Sequence, residues 1–155
     1  MSSTTTTLEQ RLDNLRDLES RLTFRLAVIS KQLDKDAQDL LTDQPVNLTG
    51  YRVLNIIGTL GDLSISDIGR YTELDRAQIS RTAVELSSAG LVTFVHDLRS
   101  KRKKIVHLTA DGHALLKRMR PIFRDRQLRL REALGQDIYD GLLAGLGRLS
   151  EVLAR

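Results

Sequence analysis

"LSISDIGRYTELDRAQISRTAVELSSAGLV", residues 63–92, contains the signals for two short helices joined by a tight turn. Ser64 and Asp67 form a serine-x-x-acid pair, and eleven residues later Asp75 and Gln78 repeat the same spacing. In such a pair the first side chain caps the amino end of a helix and the second completes the capping box. Each pair therefore predicts a helix start.

The connection between these two helices is short. About three residues, Thr72 to Leu74, separate them without a proline or a glycine, and this is the length that a helix-turn-helix uses. Gly90 stands where a left-handed residue would end the second helix. The stretch therefore predicts a helix-turn-helix.

The second helix has one apolar and one polar face. At about 100° per residue, Ile79, Ala83 and Leu86 gather on one side and predict the core face. The residues directly opposite are Ala77, Gln78, Arg81 and Glu85, with Arg76 and Ser80 between the two faces. Arginine, glutamine and small side chains are the groups that contact base edges in the major groove. The alternative is that these residues form an ordinary solvated face. The predicted DNA contacts of this helix are Arg76, Ala77, Gln78, Ser80 and Arg81.

A basic stretch follows directly. Residues 91–95 and 105–108 are short β-prone runs, and the segment 97–104 between them is predicted to be a loop. This loop carries five basic residues against one aspartate. This net +4 equals the formal net charge of the whole chain. A hairpin with a basic tip after a helix-turn-helix is the wing of a winged helix, although many charge runs are simply solvated loops. The expected contacts of the wing with DNA are Arg99, Lys101, Arg102, Lys103 and Lys104.

Both ends of the chain predict amphipathic helices. Leucines at spacings of three and four from Leu8 to about Leu41 predict one long helix, and residues 142–153 repeat the spacing. Another helix is predicted around residues 115–123, where Pro121 should introduce a kink or start a new segment. Such apolar stripes need a partner, either in a helical dimer or in an intramolecular bundle, and the spacing alone does not separate the two.

The segment before the helix-turn-helix, "LTGYRVLNIIG", predicts a helix capped by Thr49, with Val53, Leu54 and Ile57 on its buried side. The fold class expected is mostly α with a small β-hairpin (α+β). The expected divisions are a disordered tail at 1–7, a dimerisation helix at 8–46, a winged helix-turn-helix domain at 47–109 and dimerisation helices at 110–155.

The composition argues against several other classes of protein. Hydrophobic residues at 41% and charged residues at 28% are typical of a folded soluble domain. The chain has no cysteine, which excludes a thiol switch. No apolar run approaches the roughly 18 residues of a membrane helix. "MSSTTTT" lacks the features of a signal peptide, so we expect a cytoplasmic protein.

Catalysis and metal binding have little support in the sequence. His96, His107 and His113 are far apart and no compact acidic cluster accompanies them, so we expect surface or packing histidines rather than metal ligands. No nucleophile motif or phosphate loop is present. We therefore expect no catalytic residue, no metal and no cofactor.

The chain resembles the multiple-antibiotic-resistance regulator (MarR) family of winged-helix transcription factors over nearly its whole length. The resemblance lies in the long first helix, in "LT" before the next helix, in "ISRTAVELSSAGLV" at 79–92 and in "RKKIVHLTADG" at 102–112. It implies that Ser80 and Arg81 enter the major groove and that Arg102 takes the place of the arginine that reaches the minor groove. The family often has an aspartate two residues before that arginine, where this chain has Ser100.

The resemblance also implies a function. It indicates a homodimeric repressor that binds a pseudo-palindromic operator in double-stranded DNA. A small molecule, often aromatic or anionic, would release it from a pocket between the dimer helices and the winged domain. Residues expected to border that pocket are Phe24, Arg25, Tyr51 and Ile57. The alternatives are a winged-helix protein-interaction module and a ligand-independent architectural DNA binder; the outward positions of Gln78 and Arg81 favour sequence-specific DNA binding.

Overall fold

The computed structural model of the protein describes residues 7–72, 74–97 and 100–154, and for residues 96, 97 and 100–103 the backbone only. The chain divides into two compact units with the boundary after Leu48. As predicted, it is mostly α-helical with a small antiparallel sheet. The elements are α1 (Leu8–Ser20), α2 (Leu22–Asp39), α3 (Leu48–Leu60), β1 (Leu63–Ser64), α4 (Ile65–Thr72), α5 (Arg76–Ser88), β2 (Val92–Asp97), β3 (Ser100–Leu108), α6 (Ala110–Leu134) and α7 (Gln136–Leu153).

The first unit contains two helices where the leucine spacing predicted one. Arg21 is extended, with φ −81° and ψ 122°, and separates α1 from α2. The Ser20 hydroxyl donates to the Asp17 carbonyl at 2.7 Å, and the Arg21 guanidinium bonds the Asp17 carboxylate at 2.6 Å. Local side-chain bonds of this kind compete with the helical backbone pattern. The prediction of an uninterrupted helix from Leu8 to Leu41 is therefore wrong.

Large apolar side chains are exposed along the terminal helices. No residue of α1 or of α7 is buried, and Leu8 and Leu153 are 73% and 74% exposed. The exposed set in α1 and α7 comprises Leu8, Leu12, Leu15, Leu18, Ile138, Leu142, Leu143, Leu146, Val152 and Leu153. None of the helices in the described part of the chain combines the length and hydropathy needed to cross a membrane.

Helix α3 contributes to the core of the second unit. Val53 and Leu54 are fully buried and Ile57 is 2% exposed, as predicted. The helix begins at Leu48, so Thr49 lies in its first turn and is not its cap. The Gln38 side chain accepts the Leu48 N–H at 2.9 Å, which satisfies a free donor of the first turn from a distant residue.

The sheet has the order β1-β3-β2 and is antiparallel throughout. The ladder between β2 and β3 runs from Val92 opposite Leu108 to Asp97 opposite Ser100, with an irregularity after His96. Residues 101–104 are thus strand residues, and the prediction that they form a loop is wrong. Backbone N–H and C=O groups form the hydrogen bonds between the strands. A hairpin can therefore extend into residues that lack the alternating apolar pattern of a strand packed on a core.

Helix α6 runs through Pro121 without interruption, so no new segment begins there. A proline inside a helix lacks one hydrogen bond and costs about 3 kcal/mol. Leu115, Leu116 and Met119 are buried directly before it, and burying side chains of this size contributes about 1.5–3 kcal/mol each. Packing therefore outweighs the penalty.

Thr109 joins the start of α6 to the end of α5. Its hydroxyl accepts the Gly112 N–H at 3.1 Å and donates to the Gly90 carbonyl at 2.6 Å. Its own N–H donates to the Leu91 carbonyl at 3.1 Å. A Cβ at Gly112 would lie 2.1 Å from that same carbonyl oxygen, so the approach of the two segments requires a glycine.

Candidate nucleic-acid interface

Ser64 and Asp75 cap the two helices of the helix-turn-helix, as predicted. The Ser64 hydroxyl accepts the Asp67 N–H at 3.2 Å and donates to its carboxylate at 2.6 Å. The Asp75 carboxylate accepts the Gln78 N–H at 2.8 Å. The bonds from the Asp67 and Gln78 N–H groups each satisfy a free donor of the first helical turn, so the sequence positions both helix starts locally.

The end of α5 is also formed as predicted. Gly90 is left-handed, with φ +73°. Its N–H donates to the Ser87 carbonyl at 3.0 Å, and the Leu91 N–H donates to the Leu86 carbonyl at 2.9 Å. This pair of bonds is a Schellman motif, which gives α5 a defined length of 13 residues.

The core face of α5 is wider than predicted. Ile79, Ala83 and Leu86 are buried as expected, and Thr82 is buried as well, at 6% exposure. Gln78 therefore lies at the edge of the core face and is half-buried. The exposed residues of the first three turns that remain are Arg76, Ala77, Ser80, Arg81, Val84 and Glu85.

Val84 is an outward residue that the sequence reasoning missed. Its side chain is 56% exposed. At 100° per residue it lies about 150° from the centre of the core face, close to the line of Ala77. The helical wheel contained this signal, but a valine is ordinarily assigned to a core.

The described part of the wing presents one of the predicted cations. Lys104 is exposed, and its Nζ lies 5.7 Å from the centroid of the Phe94 ring, within the range of a cation–π interaction. Arg99 lies outside the described residues, as do the side chains of Lys101, Arg102 and Lys103, whose backbones belong to β3.

A second concentration of positive charge lies in α6, where the sequence reasoning had not looked for one. The helix carries seven basic and three acidic residues, so its excess equals that of the wing. Arg120 is held in place, since its Nη2 donates to the Gly58 carbonyl at 2.9 Å. The absence of a side chain at Gly58 allows this, because a Cβ there would lie 3.0 Å from that nitrogen.

The four residues expected to border a ligand pocket lie on α2 and α3, in pairs that belong to the two separate units. On α2, Phe24 is half-buried, and the exposed Arg25 donates to the Glu19 carbonyl at 3.4 Å. On α3, Ile57 is 2% exposed, and Tyr51 has the surroundings described next. No contact described within either unit joins the pair on α2 to the pair on α3.

Tyr51 is a packed residue of the second unit. Its ring stacks on Phe123 with centroids 3.9 Å apart and planes 12° from parallel. Burial raises the pKa of the Tyr51 phenol, and the nearby charge of Arg120 opposes this to a lesser extent. The pair therefore contributes to the packing of α3 against α6.

Within residues 7–72, 74–97 and 100–154, no three histidine or acidic side chains are grouped so that they could hold a metal ion. His107 Nδ1 lies 2.7 Å from an Asp62 carboxylate oxygen. This contact links β3 to the residue before β1. His113 is exposed on α6, and the side chain of His96 lies outside the described residues.

The winged-helix region matches a known protein family. Residues 45–103 match the model of the MarR family. They comprise α3, the helix-turn-helix and most of the wing.

A HTH-type transcriptional regulator Hpr from Exiguobacterium sibiricum is 30% identical over 97 residues, 63% of this chain and 51% of that protein. The chain thus spans about half the length of this relative. Two solved structures share the fold. Bordetella bronchiseptica BpsR, whose DNA binding is regulated by 6-hydroxynicotinic acid, is 22% identical with a TM-score of 0.78 and covers 85% of this chain and 94% of its own. S. aureus MepR in complex with DNA is 19% identical with a TM-score of 0.79 and covers 86% and 98%.

Proposed function

We propose that the protein is a sequence-specific DNA-binding transcription regulator that acts as a homodimer. The geometry of α5 is the observation that carries this proposal. One face of the helix is buried, and the opposite face carries exposed arginine, serine and alanine side chains. The basic strand β3 follows in the sequence. A helix of this kind enters the major groove in helix-turn-helix proteins.

Two kinds of contact follow from the positions of the cations. Arg81 lies on the outward face of α5, where a guanidinium can bind the O6 and N7 atoms of a guanine. Arg76, Ala77, Gln78 and Ser80 complete the proposed base contacts. Lys104 belongs to the wing, where a single ammonium group is suited to a phosphate. The proposed phosphate and minor-groove contacts beside it are Arg99, Lys101, Arg102 and Lys103.

The proposal of a homodimer rests on the exposed apolar faces of the terminal helices. Leucines spaced by three and four residues remain exposed along α1 and along α7, and apolar stripes of this kind mark interaction sites. A two-fold dimer presents two copies of α5 in opposite senses. The preferred site is then a pseudo-palindrome whose half-site centres lie about 10–10.5 base pairs apart, or a multiple of that.

We further propose that a small ligand releases this protein from its operator, so that it acts as a repressor and not as an enzyme. The regulation of BpsR by 6-hydroxynicotinic acid supports such a step in a protein of the same fold. The proposed ligand contacts are Phe24, Arg25, Tyr51 and Ile57. Addition of 6-hydroxynicotinic acid, as a first probe, to the protein–operator complex should lower the operator affinity; ligand binding without that effect would contradict release.

Selection from a random DNA pool tests the DNA-binding function directly. An inverted repeat should be enriched, and enrichment of no sequence would refute the proposal. Arg81→Ala should lower operator affinity by about 1–3 kcal/mol and relax preference at one base pair in each half-site. Lys104→Ala should weaken all sequences alike and reduce the salt slope by about one.

The matched control is Arg52→Ala, which removes the same charge from an exposed position of α3, outside the proposed DNA contacts and the proposed dimer interface. It should leave operator affinity within about twofold, because screened surface charges contribute little at physiological salt. If Arg81→Ala weakened random and operator DNA equally, Arg81 would be a phosphate contact.

A further inference from the structure

Ala77 and Val84 form an apolar ridge on the outward face of α5. They are seven residues apart, so they lie about 20° apart around the helix and about 10.5 Å apart along it. Both are exposed, Val84 at 56%. Ser80 and Arg81 lie between them along the helix, one on each side of the ridge.

The fold itself does not account for Val84. The buried residues of α5 are Ile79, Thr82, Ala83 and Leu86, and Val84 points away from them. Valine is a weaker helix former than alanine, glutamine or lysine. A single exposed valine is unremarkable on a protein surface, but this one is aligned with Ala77 at the centre of a face whose other exposed residues are polar.

The floor of the major groove offers one apolar group for such a ridge, the C5 methyl of thymine. Ser80 and Arg81 can donate hydrogen bonds to neighbouring bases on either side. We propose that Val84 is a specificity-determining residue that, together with Ala77, selects thymine methyl groups within each half-site. This inference rests on the proposed function, because it assigns base preference within the same interface.

The length of the ridge sets the spacing of the selected positions. Successive bases rise 3.4 Å along the duplex, so 10.5 Å corresponds to about three steps. Each half-site should therefore carry A·T pairs up to about three steps apart, with the guanine contacted by Arg81 between them.

Replacement of single thymines by deoxyuridine in the selected operator tests the contact, because it removes the methyl group and leaves base pairing unchanged. Operator affinity is measured for the dimeric wild-type protein and for Val84→Ala. Loss of one buried methyl contact should weaken binding about fourfold, from about 0.8 kcal/mol per buried group and 1.4 kcal/mol per tenfold. Substitution at the equivalent thymine of both half-sites should weaken it on the order of tenfold.

The decisive comparison is between the two proteins. One thymine in each half-site should show the fourfold effect with wild-type protein and none with Val84→Ala. Val84→Thr, which keeps the shape of valine and replaces a methyl by a hydroxyl, should give an intermediate loss. Thermal unfolding of Val84→Ala at the wild-type temperature or above would show that the fold is intact.

Two results would overturn the inference while the proposed function stands. In the first, the operator is bound specifically but no deoxyuridine affects wild-type affinity. In the second, the effect of deoxyuridine is as large in Val84→Ala as in the wild-type protein. Failure to select any DNA sequence would instead refute the proposed function.

Discussion

Replacement of Gly112 by alanine tests the junction between α5 and α6. An added Cβ would lie 2.1 Å from the Leu91 carbonyl oxygen, where ordinary contacts begin at 3.4 Å. The clashing atom belongs to the backbone, so the segments must separate. Overpacking of this kind costs about 1–3 kcal/mol. Strain on the Thr109 cap adds about 1 kcal/mol, and the better helix propensity of alanine offsets about 1 kcal/mol.

The expected net loss for Gly112→Ala is about 2 kcal/mol, or about 4–8 °C in Tm for a chain of this size. Urea unfolding at one fixed protein concentration measures it, because association contributes to the stability of a dimer. The matched control is Gly147→Ala in α7, where a Cβ meets nothing within 4 Å. The free energy of unfolding of this control should rise by about 0.5–1 kcal/mol.

Gly58→Ala should lie between these two variants. Its Cβ would lie 2.5 Å from Leu116 Cδ1 and 3.0 Å from Arg120 Nη2, and side-chain ends can move where a carbonyl cannot. A loss of about 1 kcal/mol in the free energy of unfolding is expected, within the lower part of the overpacking range.

If Gly112→Ala were as stable as Gly147→Ala, the close approach of α6 to Leu91 would be refuted.

Three further predictions concern association, capping and ionisation. Leu146→Glu should place a charge in the proposed dimer interface and shift the sedimentation mass from twice 17.5 kDa to 17.5 kDa; a folded wild-type monomer at micromolar concentration would contradict the homodimer. Asp75→Ala should lose about 1 kcal/mol by removing the acceptor of the Gln78 N–H, and Asp75→Asn should recover most of it in urea unfolding. Because burial raises the pKa of the Tyr51 phenol above its ordinary 10.0, the unfolded chain releases this proton first as pH rises. The free energy of unfolding should therefore decrease as pH rises above 10. A decrease of the same size in Tyr51→Phe would exclude Tyr51 as the cause.

The helix-turn-helix was predictable because its signals are local. The capping bonds of Ser64, Asp75 and the Gly90 N–H connect groups three residues apart, and the Leu91 N–H bonds a carbonyl five residues earlier. The order of residue types is therefore enough to locate them. The same locality explains why the break at Arg21 was missed. Its hydrogen bonds involve Asp17 and Ser20, residue types that are also common within unbroken helices.

Features that depend on distant segments were not predictable. The leucine periodicity of α1 and α7 correctly indicated amphipathic helices, but periodicity counts residue types and does not say what covers them. Thr82 is buried because neighbouring elements enclose it, and Val84 is exposed because nothing in the described fold covers it. Similarly, Lys104 belongs to β3 because His96 of β2 supplies a pairing partner, not because a lysine side chain favours a strand.

The sequence by itself determined where α4 and α5 begin and where α5 ends, since caps and left-handed glycines act within one helical turn. Only the tertiary structure decided which face of α5 is exposed and how closely α6 approaches Leu91. Both depend on segments that come together after folding: burial removes Gln78 partly from the outward face, and the contact at Gly112 joins residues 21 positions apart. Such contacts follow from the packing of whole elements. The residue pattern within a single helix does not specify that packing.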